Sequence, residues 1–205
     1  MGCAYQSNTF CSRLDEETRK QLCVGCHIKQ YARGKNLLSG YWKNKMALLL
    51  DGMMVMVESD VEDPSKTIAN GLASGGDLIS GLVCPQSTVG PRTTICLFDC
   101  TVAVFDERCT AALLESNVAF IKEAYTNCLH SCSQERAAML RDVGCKDAYT
   151  SVRYVVHYCR EHGLPPLTHE QIALVCNRSR PKVTAVLHEL IRKEPGLFQP
   201  LETRD

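Results

Sequence analysis

The most constraining feature of the chain is the segment Leu167 to Lys193, LTHEQIALVCNRSRPKVTAVLHELIRK. Thr168 with Gln171 three residues later forms a capping-box pattern, in which each side chain satisfies a backbone donor left unpaired at a helix start. Ile172, Ala173 and Val175 form an inward face, and this helix ends near Cys176-Asn177. Ser179 caps the next helix, where Pro181 is tolerated because the amide it lacks would have no intrahelical partner. Val183, Val186, Leu187, Leu190 and Ile191 give that helix its buried side. Two short helices joined by a tight turn, the second presenting polar residues from its first turns, predict a helix-turn-helix.

Charge sharpens this expectation. The 205 residues carry 23 basic and 23 acidic side chains, a formal charge of zero, which excludes a uniformly basic coat and a disordered acidic chain. From Cys176 to Lys193, however, five bases stand against the single acid Glu189. A local positive segment within a neutral chain is the footprint expected where phosphates are met and counterions released. Thr168, Arg178, Ser179, Arg180, Lys182, Thr184 and His188 are the candidate DNA contacts, with double-stranded DNA as the partner.

Upstream, Tyr31 to about Asp106 shows short apolar or β-branched runs punctuated by Gly, Asp, Asn and Pro, a strand-and-turn pattern that predicts a sandwich, roll or barrel. Met46 to Val57 reads as two strands hinged by a hairpin turn at Asp51-Gly52, and Thr93 to Phe105 as a second pair hinged at Phe98-Asp99. The acidic stretch Glu58 to Asp63 reads as a solvated hairpin tip. Neither Pro nor Gly occurs from Thr110 to Val143. Leu114, Val118, Ile121, Tyr125, Cys128 and Cys132 recur there at steps of four and three, which predicts one long helix whose stripe meets the same stripe of a second chain about a two-fold axis. A further helix, Ala148 to His162, is closed by Gly163 and Pro165-Pro166. The expected class is α+β, divided into a β-roll at 1–107, a dimerisation helix at 108–141 and a winged helix-turn-helix at 142–205.

In that order the elements resemble transcription regulators related to the cyclic-AMP receptor protein and the fumarate–nitrate reduction regulator, the CRP/FNR family. Leu167 to Leu190 is similar to that family's DNA-binding motif over its whole length, with looser likeness at Tyr31-Ala32-Arg33-Gly34, Gly76-Asp77-Leu78-Ile79 and Arg92-Thr93-Thr94. The resemblance implies a homodimer that binds an inverted-repeat operator, engages RNA polymerase and is controlled from the β-roll. It places the effector pocket at Gly76, Asp77, Ser80, Gly81, Arg92 and Thr93. Ser80-Gly81 stands where cyclic-nucleotide-binding members carry Gly-Glu, so the acceptor for the ribose hydroxyl is missing and an effector other than cyclic AMP is implied. Pro181 and Ala185 replace base-reading residues of many relatives, which implies a different operator sequence.

Thirteen cysteines remain to be placed. The amino terminus has neither the basic start nor the apolar run of a signal peptide, and no stretch approaches a membrane span, so a cytoplasmic chain with reduced thiols is expected. Cys23 and Cys26 form a close pair, with Cys3 and Cys11 upstream. These four are the candidate ligands of an iron–sulfur cluster of the kind held by the fumarate–nitrate branch, although their spacing differs. Zinc, thiol redox sensing and scattered packing thiols are the other readings, and no cofactor is required by the sequence. No nucleophile–base pair or phosphate loop at catalytic spacing points to an enzyme.

Overall fold

The fold is described from a computed structural model covering residues 9–38, 45–59, 67–79, 92–129, 143–144, 146–161 and 163–198. A short helix α1 (Thr9–Ser12) and α2 (Glu16–Val24) precede seven strands. These are β1 (Cys26–Tyr31), β2 (Asn36–Leu38), β3 (Ala47–Asp51), β4 (Met53–Ser59), β5 (Thr67–Ser74), β6 (Arg92–Cys96) and β7 (Cys100–Phe105). Helices α3 (Glu107–Ser116) and α4 (Val118–Leu129) follow, then α5 (Ala148–Glu161), α6 (His169–Val175), α7 (Arg180–Lys193) and a 3-10 turn at Pro195–Phe198.

The strands form two antiparallel sheets, one ordered β1-β7-β3 and the other β2-β6-β4-β5. This arrangement corrects the expected hairpins. Asp51-Gly52 does not reverse the chain between paired strands, because β3 pairs with β7 whereas β4 pairs with β5 and β6. The chain instead passes from one sheet to the other at Gly52, and passes back between β6 and β7 at Leu97 to Asp99. The two corners pack on each other: Leu97 N–H donates to Met53 O at 2.9 Å. A Cβ on Gly52 would lie 2.5 Å from Asp99 O and 2.8 Å from Cys100 Sγ, so only glycine fits there, with φ +94°. The hairpin connects β4 and β5, whose register runs from Met53↔Ser74 to Ser59↔Thr67. Glu58 lies inside β4; the rest of the acidic stretch, residues 60–63, is outside the described residues.

The layering explains why Met46 to Val57 is almost continuously apolar. Leu49, Met54, Cys96, Cys100, Val102 and Val104 fill the space between the sheets. On the outer face of the first sheet, Met46, Leu48, Ala103 and Phe105 pack under Phe10, Leu22, Leu113 and Phe120 of the helices. On the outer face of the second, Met53, Val55, Val57 and Ala69 join one cluster with Val152, Ile172, Val183, Leu187 and Leu190. Strands covered on both faces lose the alternation of a half-exposed sheet.

The long helix of the expectation is broken. Asn117 ends α3 with φ −110° and ψ 95°, its Oδ1 accepts Phe120 N–H at 2.9 Å to start α4, and its Nδ2 donates to Thr18 Oγ1 at 2.8 Å. A short amide side chain can replace backbone partners in this way, so a helix breaks without Gly or Pro. At the end of α5, Gly163 (φ +61°) donates to Arg160 O and Leu164 to Cys159 O, the bonding of a Schellman stop. Among the described residues, which end at Phe198, no strand follows α7, and residues 199–205 are not described.

Candidate nucleic-acid interface

The helix pair forms as its sequence specifies. Thr168 Oγ1 accepts Gln171 N–H at 3.2 Å, and Gln171 Oε1 accepts Thr168 N–H at 3.0 Å, which completes the capping box. After Val175, Asn177 adopts φ +52° and donates to Leu174 O, while Arg178 N–H donates to Ala173 O. Asparagine tolerates this left-handed conformation, and the two bonds stop α6 so that α7 leaves at a new angle. Ser179 takes the N-cap backbone position of α7 without a side-chain cap bond, and Pro181 occupies the first turn.

Helix α7 buries Val183, Val186, Leu187 and Leu190, whereas Ile191, expected inside, is half exposed. Ile191 follows Leu190 on the helix and is exposed together with Arg192 and Lys193. Ser179, Arg180, Lys182, Ala185 and His188 are exposed on the side opposite the buried row. The helix start therefore offers two cations and a hydroxyl, with the His188 imidazole two turns further along the same side, and the helix dipole also favours an anion there.

The remaining candidate contacts divide differently. Arg180 Nη1 lies 3.3 Å from Glu170 Oε1 on α6, and both side chains are exposed, so the pair is screened and the guanidinium is readily exchanged for another partner. Thr184 Oγ1 is 2.9 Å from His169 Nδ1, which ties α7 to α6. Arg178 is directed inward: it donates to Lys146 O at 2.8 Å and Asn177 O at 3.2 Å, so it braces the turn. Lys193, counted in the basic segment, is paired with Glu189 at 2.7 Å and stands 5.3 Å from the Tyr149 ring. At the far end of the domain, Arg153 makes a bidentate pair with Glu194, which also accepts from Tyr149 Oη at 3.1 Å.

Sequence reasoning missed the residues that hold this helix pair against the β-roll. Asn177 Oδ1 accepts Ala69 N–H at 2.8 Å and Asn177 Nδ2 donates to Ala69 O at 3.2 Å. Because β5 is the edge of its sheet, this carboxamide imitates the next strand at one residue. Gln171 Nε2 donates to Leu97 O at the β6–β7 corner, and Gln171 Oε1 accepts from Arg33 Nη2. Arg33 N–H donates to Asp99 Oδ1 at 2.8 Å, and its guanidinium lies 5.8 Å from the Phe98 ring centre. Gln171 reads in sequence as a cap and Asn177 as a turn; each performs a second, non-local task.

The Asn177 contact yields a first prediction. Asn177→Gly preserves the positive φ and removes both bonds to Ala69, so unfolding stability should fall by about 1–2 kcal/mol. Asn177→Ala should lose about 1 kcal/mol more, from the left-handed backbone. Urea midpoints for the two variants check the ranking; a glycine variant as stable as the parent would remove the contact's significance.

The residues assigned to the effector pocket are not brought together by the described backbone. Gly76 (φ +107°) and Asp77 follow β5 at the end where Ser74 pairs with Met53. Arg92 pairs with Glu58, five residues further along β4, roughly 17 Å at the rise of a strand. Thr93 pairs with Val57 beside it, and Ser80 and Gly81 lie outside the described residues. Asp77 Oδ2 accepts Ser74 N–H at 2.7 Å. Asn127 of α4 donates to Gly76 O at 3.1 Å and accepts Leu78 N–H at 3.0 Å, so α4 is attached directly to this turn.

On α4, Val118, Ile121 and Tyr125 are 79%, 37% and 55% exposed, while Phe120 and Ala124 are buried on the opposite side. Leu114, on α3, is half buried. Cys132 is outside the described residues, as is the side chain of Cys128. Of the candidate metal ligands, Cys23 is exposed on α2, Cys26 starts β1 and Cys11 lies within α1; Cys3 is outside the described residues. Among the described residues, no three His, Cys, Asp or Glu side chains group at metal-binding distance, and no helix is long and apolar enough to cross a membrane.

No protein-family model and no curated protein matches the sequence. The structure does match solved proteins. A protein described as a transcriptional regulator of the CRP/FNR family from Eubacterium rectale aligns with TM-score 0.69 at 11% identity, over 90% of this chain and 87% of its own. The c-di-GMP-responsive global regulator CLP of Xanthomonas campestris aligns with TM-score 0.65 at 12% identity, over 87% of this chain and 92% of its own. A CRP-family transcriptional regulator from Thermus thermophilus aligns with TM-score 0.64 at 17% identity, over 80% and 85% respectively. The β-roll followed by helices and a carboxy-terminal helix-turn-helix is thus the fold of the CRP/FNR regulators, and this chain has that fold.

Proposed function

We propose that the chain is a sequence-specific DNA-binding transcription regulator that works as a homodimer. The observation that carries this reading is the outer side of α7, where Ser179, Arg180, Lys182 and His188 are exposed on a helix whose opposite face is buried. A helix presented by its amino-terminal residues enters the major groove, and two copies related by a two-fold axis read an inverted repeat about one DNA turn apart. The exposed apolar residues of α4 supply the surface for that axis. The β-roll is the controlling domain, and Ser80-Gly81 in place of Gly-Glu favours an effector other than cyclic AMP. The structural relatives are transcription regulators, which supports a regulator over an enzyme.

Selection of random duplexes on the purified protein tests the reading: enrichment of a palindrome supports it, and an unenriched pool refutes it. Two substitutions separate the roles within α7. Lys182→Ala should weaken binding uniformly across sequences and lower the salt-dependence slope by about 1, as expected for one lost phosphate contact. Arg180→Ala should cost about 1–3 kcal/mol and relax the preference at one position of each half-site. Titrations on the selected site and on single-base variants, at several salt concentrations, distinguish the two.

A further inference from the structure

Two asparagines grip one stretch of chain at its two ends. Asn177, in the turn of the helix pair, bonds both backbone groups of Ala69 on β5. Asn127, on α4, accepts Leu78 N–H at 3.0 Å and donates to Gly76 O at 3.1 Å. Between these grips the chain runs along the edges of both sheets. As far as Ser74 it is the outer strand of the second sheet, beside β4. At Gly76 it turns with φ +107° and joins the edge of the first sheet. There Gly76 N–H donates to Leu49 O at 2.8 Å, Leu49 N–H to Asp77 O at 2.9 Å and Ile79 N–H to Ala47 O at 2.6 Å. Asp77 O and Ile79 N–H therefore face β3, while Gly76 O and Leu78 N–H are taken by a single carboxamide from α4. The apolar contacts divide in the same way: Ala69 belongs to the cluster of Ile172, Val183 and Leu190, and Leu78 to that of Phe120 and Ala124 on α4.

We propose that the segment Ala69 to Ile79 couples α4 to the recognition helix pair, with Asn127 and Asn177 as the positioning residues at its two ends. An edge strand suits this task, because its ladder holds it on one side and it shifts at lower cost than a strand in the middle of a sheet. The ladder is also interrupted beside the Asn177 grip. Met56 pairs with Gly71 and Val57 with Ala69, which leaves Asn70 as the extra residue of a bulge, its Oδ1 buried without a hydrogen-bond partner. At this end the Asn177 carboxamide, as well as β4, fixes where Ala69 lies.

A displacement of α4 draws Gly76 and Leu78 with it through Asn127. Extended chain does not stretch, so the movement reaches Ala69, roughly 23 Å away at the rise of a strand, and there displaces the turn that sets the angle between α6 and α7. The coupling rests on the reading of α4 as the dimer seam and α7 as the DNA-reading helix for what it transmits: a rearranged seam changes the presentation of the two recognition helices. It also requires the two ends to be linked energetically, which is measurable in the protein alone.

Asn127→Ala in the full chain tests this. Amide exchange at Ala69, whose N–H is held by Asn177, should accelerate by about fivefold or more, while amides of β7, in the middle of the first sheet, keep their parental rates. Unchanged exchange at Ala69 overturns the proposal, as does an equal acceleration at β7, which is the mark of a general loss of stability. Asn127→Asp keeps an acceptor for Leu78 N–H and lacks the donor to Gly76 O; it should give the same pattern and carries the test if the alanine variant does not fold. Additivity is the second readout, because sites this far apart ordinarily act independently. With Asn127→Ala and Asn177→Gly combined, the urea midpoint should fall by less than the sum of the two single shifts, since a strand released at one end gains less from being held at the other. Additive shifts overturn the coupling. Both measurements are made without DNA, so a parent protein that retains no selected duplex refutes the DNA-binding reading alone.

Discussion

Replacing both Ile121 and Tyr125 by Glu should convert the proposed homodimer to a monomer and reduce affinity for the inverted repeat that such a dimer selects by about 10²–10⁴-fold. Both side chains project from α4 away from the β-roll, so a single chain loses little by their replacement. Across a two-fold axis the same patch meets itself, and each substitution is made twice in one interface. Four carboxylates would then face an apolar seam, and a carboxylate buried without a partner is strongly unfavourable. A monomer retains one recognition helix and still binds a half-site, but it forfeits the gain from tethering two helices to one duplex. Sedimentation gives the mass and titration of full and half operators gives the two affinities. The prediction fails if the double variant keeps a dimer's mass, in which case the exposed row on α4 is not the seam. It also fails if operator affinity survives in the monomer, because the two helices would then not act together.

The parts of the fold that were legible in sequence are those decided by neighbouring residues. The α6–α7 pair follows from local hydrogen-bond chemistry: Thr168 and Gln171 cap each other, and Asn177 supplies the left-handed turn. The strands of the β-roll were also visible, but their pairing was not. Asp51-Gly52 has the backbone freedom of a hairpin turn and of a corner between sheets; the register of β3 against β7 decides which, and that register is non-local. The continuous helix was misjudged for a related reason. Asn117 breaks it because its side chain finds partners on Phe120 and Thr18, the second being 99 residues away. At the interface, composition counted Arg178 and Lys193 as free positive charge, whereas the folded chain engages one with backbone carbonyls and the other with Glu189. Arg180 and Lys182 remain exposed at the start of α7, where the proposed function places the contacts.

The largest effect on stability should come from Leu190→Ala. Leu190 is fully buried on α7, and its removal should cost about 3 kcal/mol, combining lost transfer energy with the cavity left in a close-packed site. Against the roughly 5–15 kcal/mol that separates a folded protein from its unfolded chain, this is a large share; it corresponds to a melting point lower by roughly 6–12 °C. Leu190→Met, which conserves volume, should cost less than about 1.5 kcal/mol. The pattern of the loss is more informative than its size. Leu190 belongs to one cluster that extends from Val152 and Ile172 through Leu187 to Met53, Val55 and Val57 of the second sheet. The helix pair is therefore not an appended bead: it covers a sheet face that would otherwise expose methionine and valine. Loss of packing at Leu190 should shift helical signal and protection of β4 amides together, because opening the helix pair uncovers β4. Hydrogen exchange along a urea series checks this. If the helical signal fell first and the β4 amides kept their parental protection, the two parts would be independent units, and signals from the β-roll could not reach α7 through their shared core.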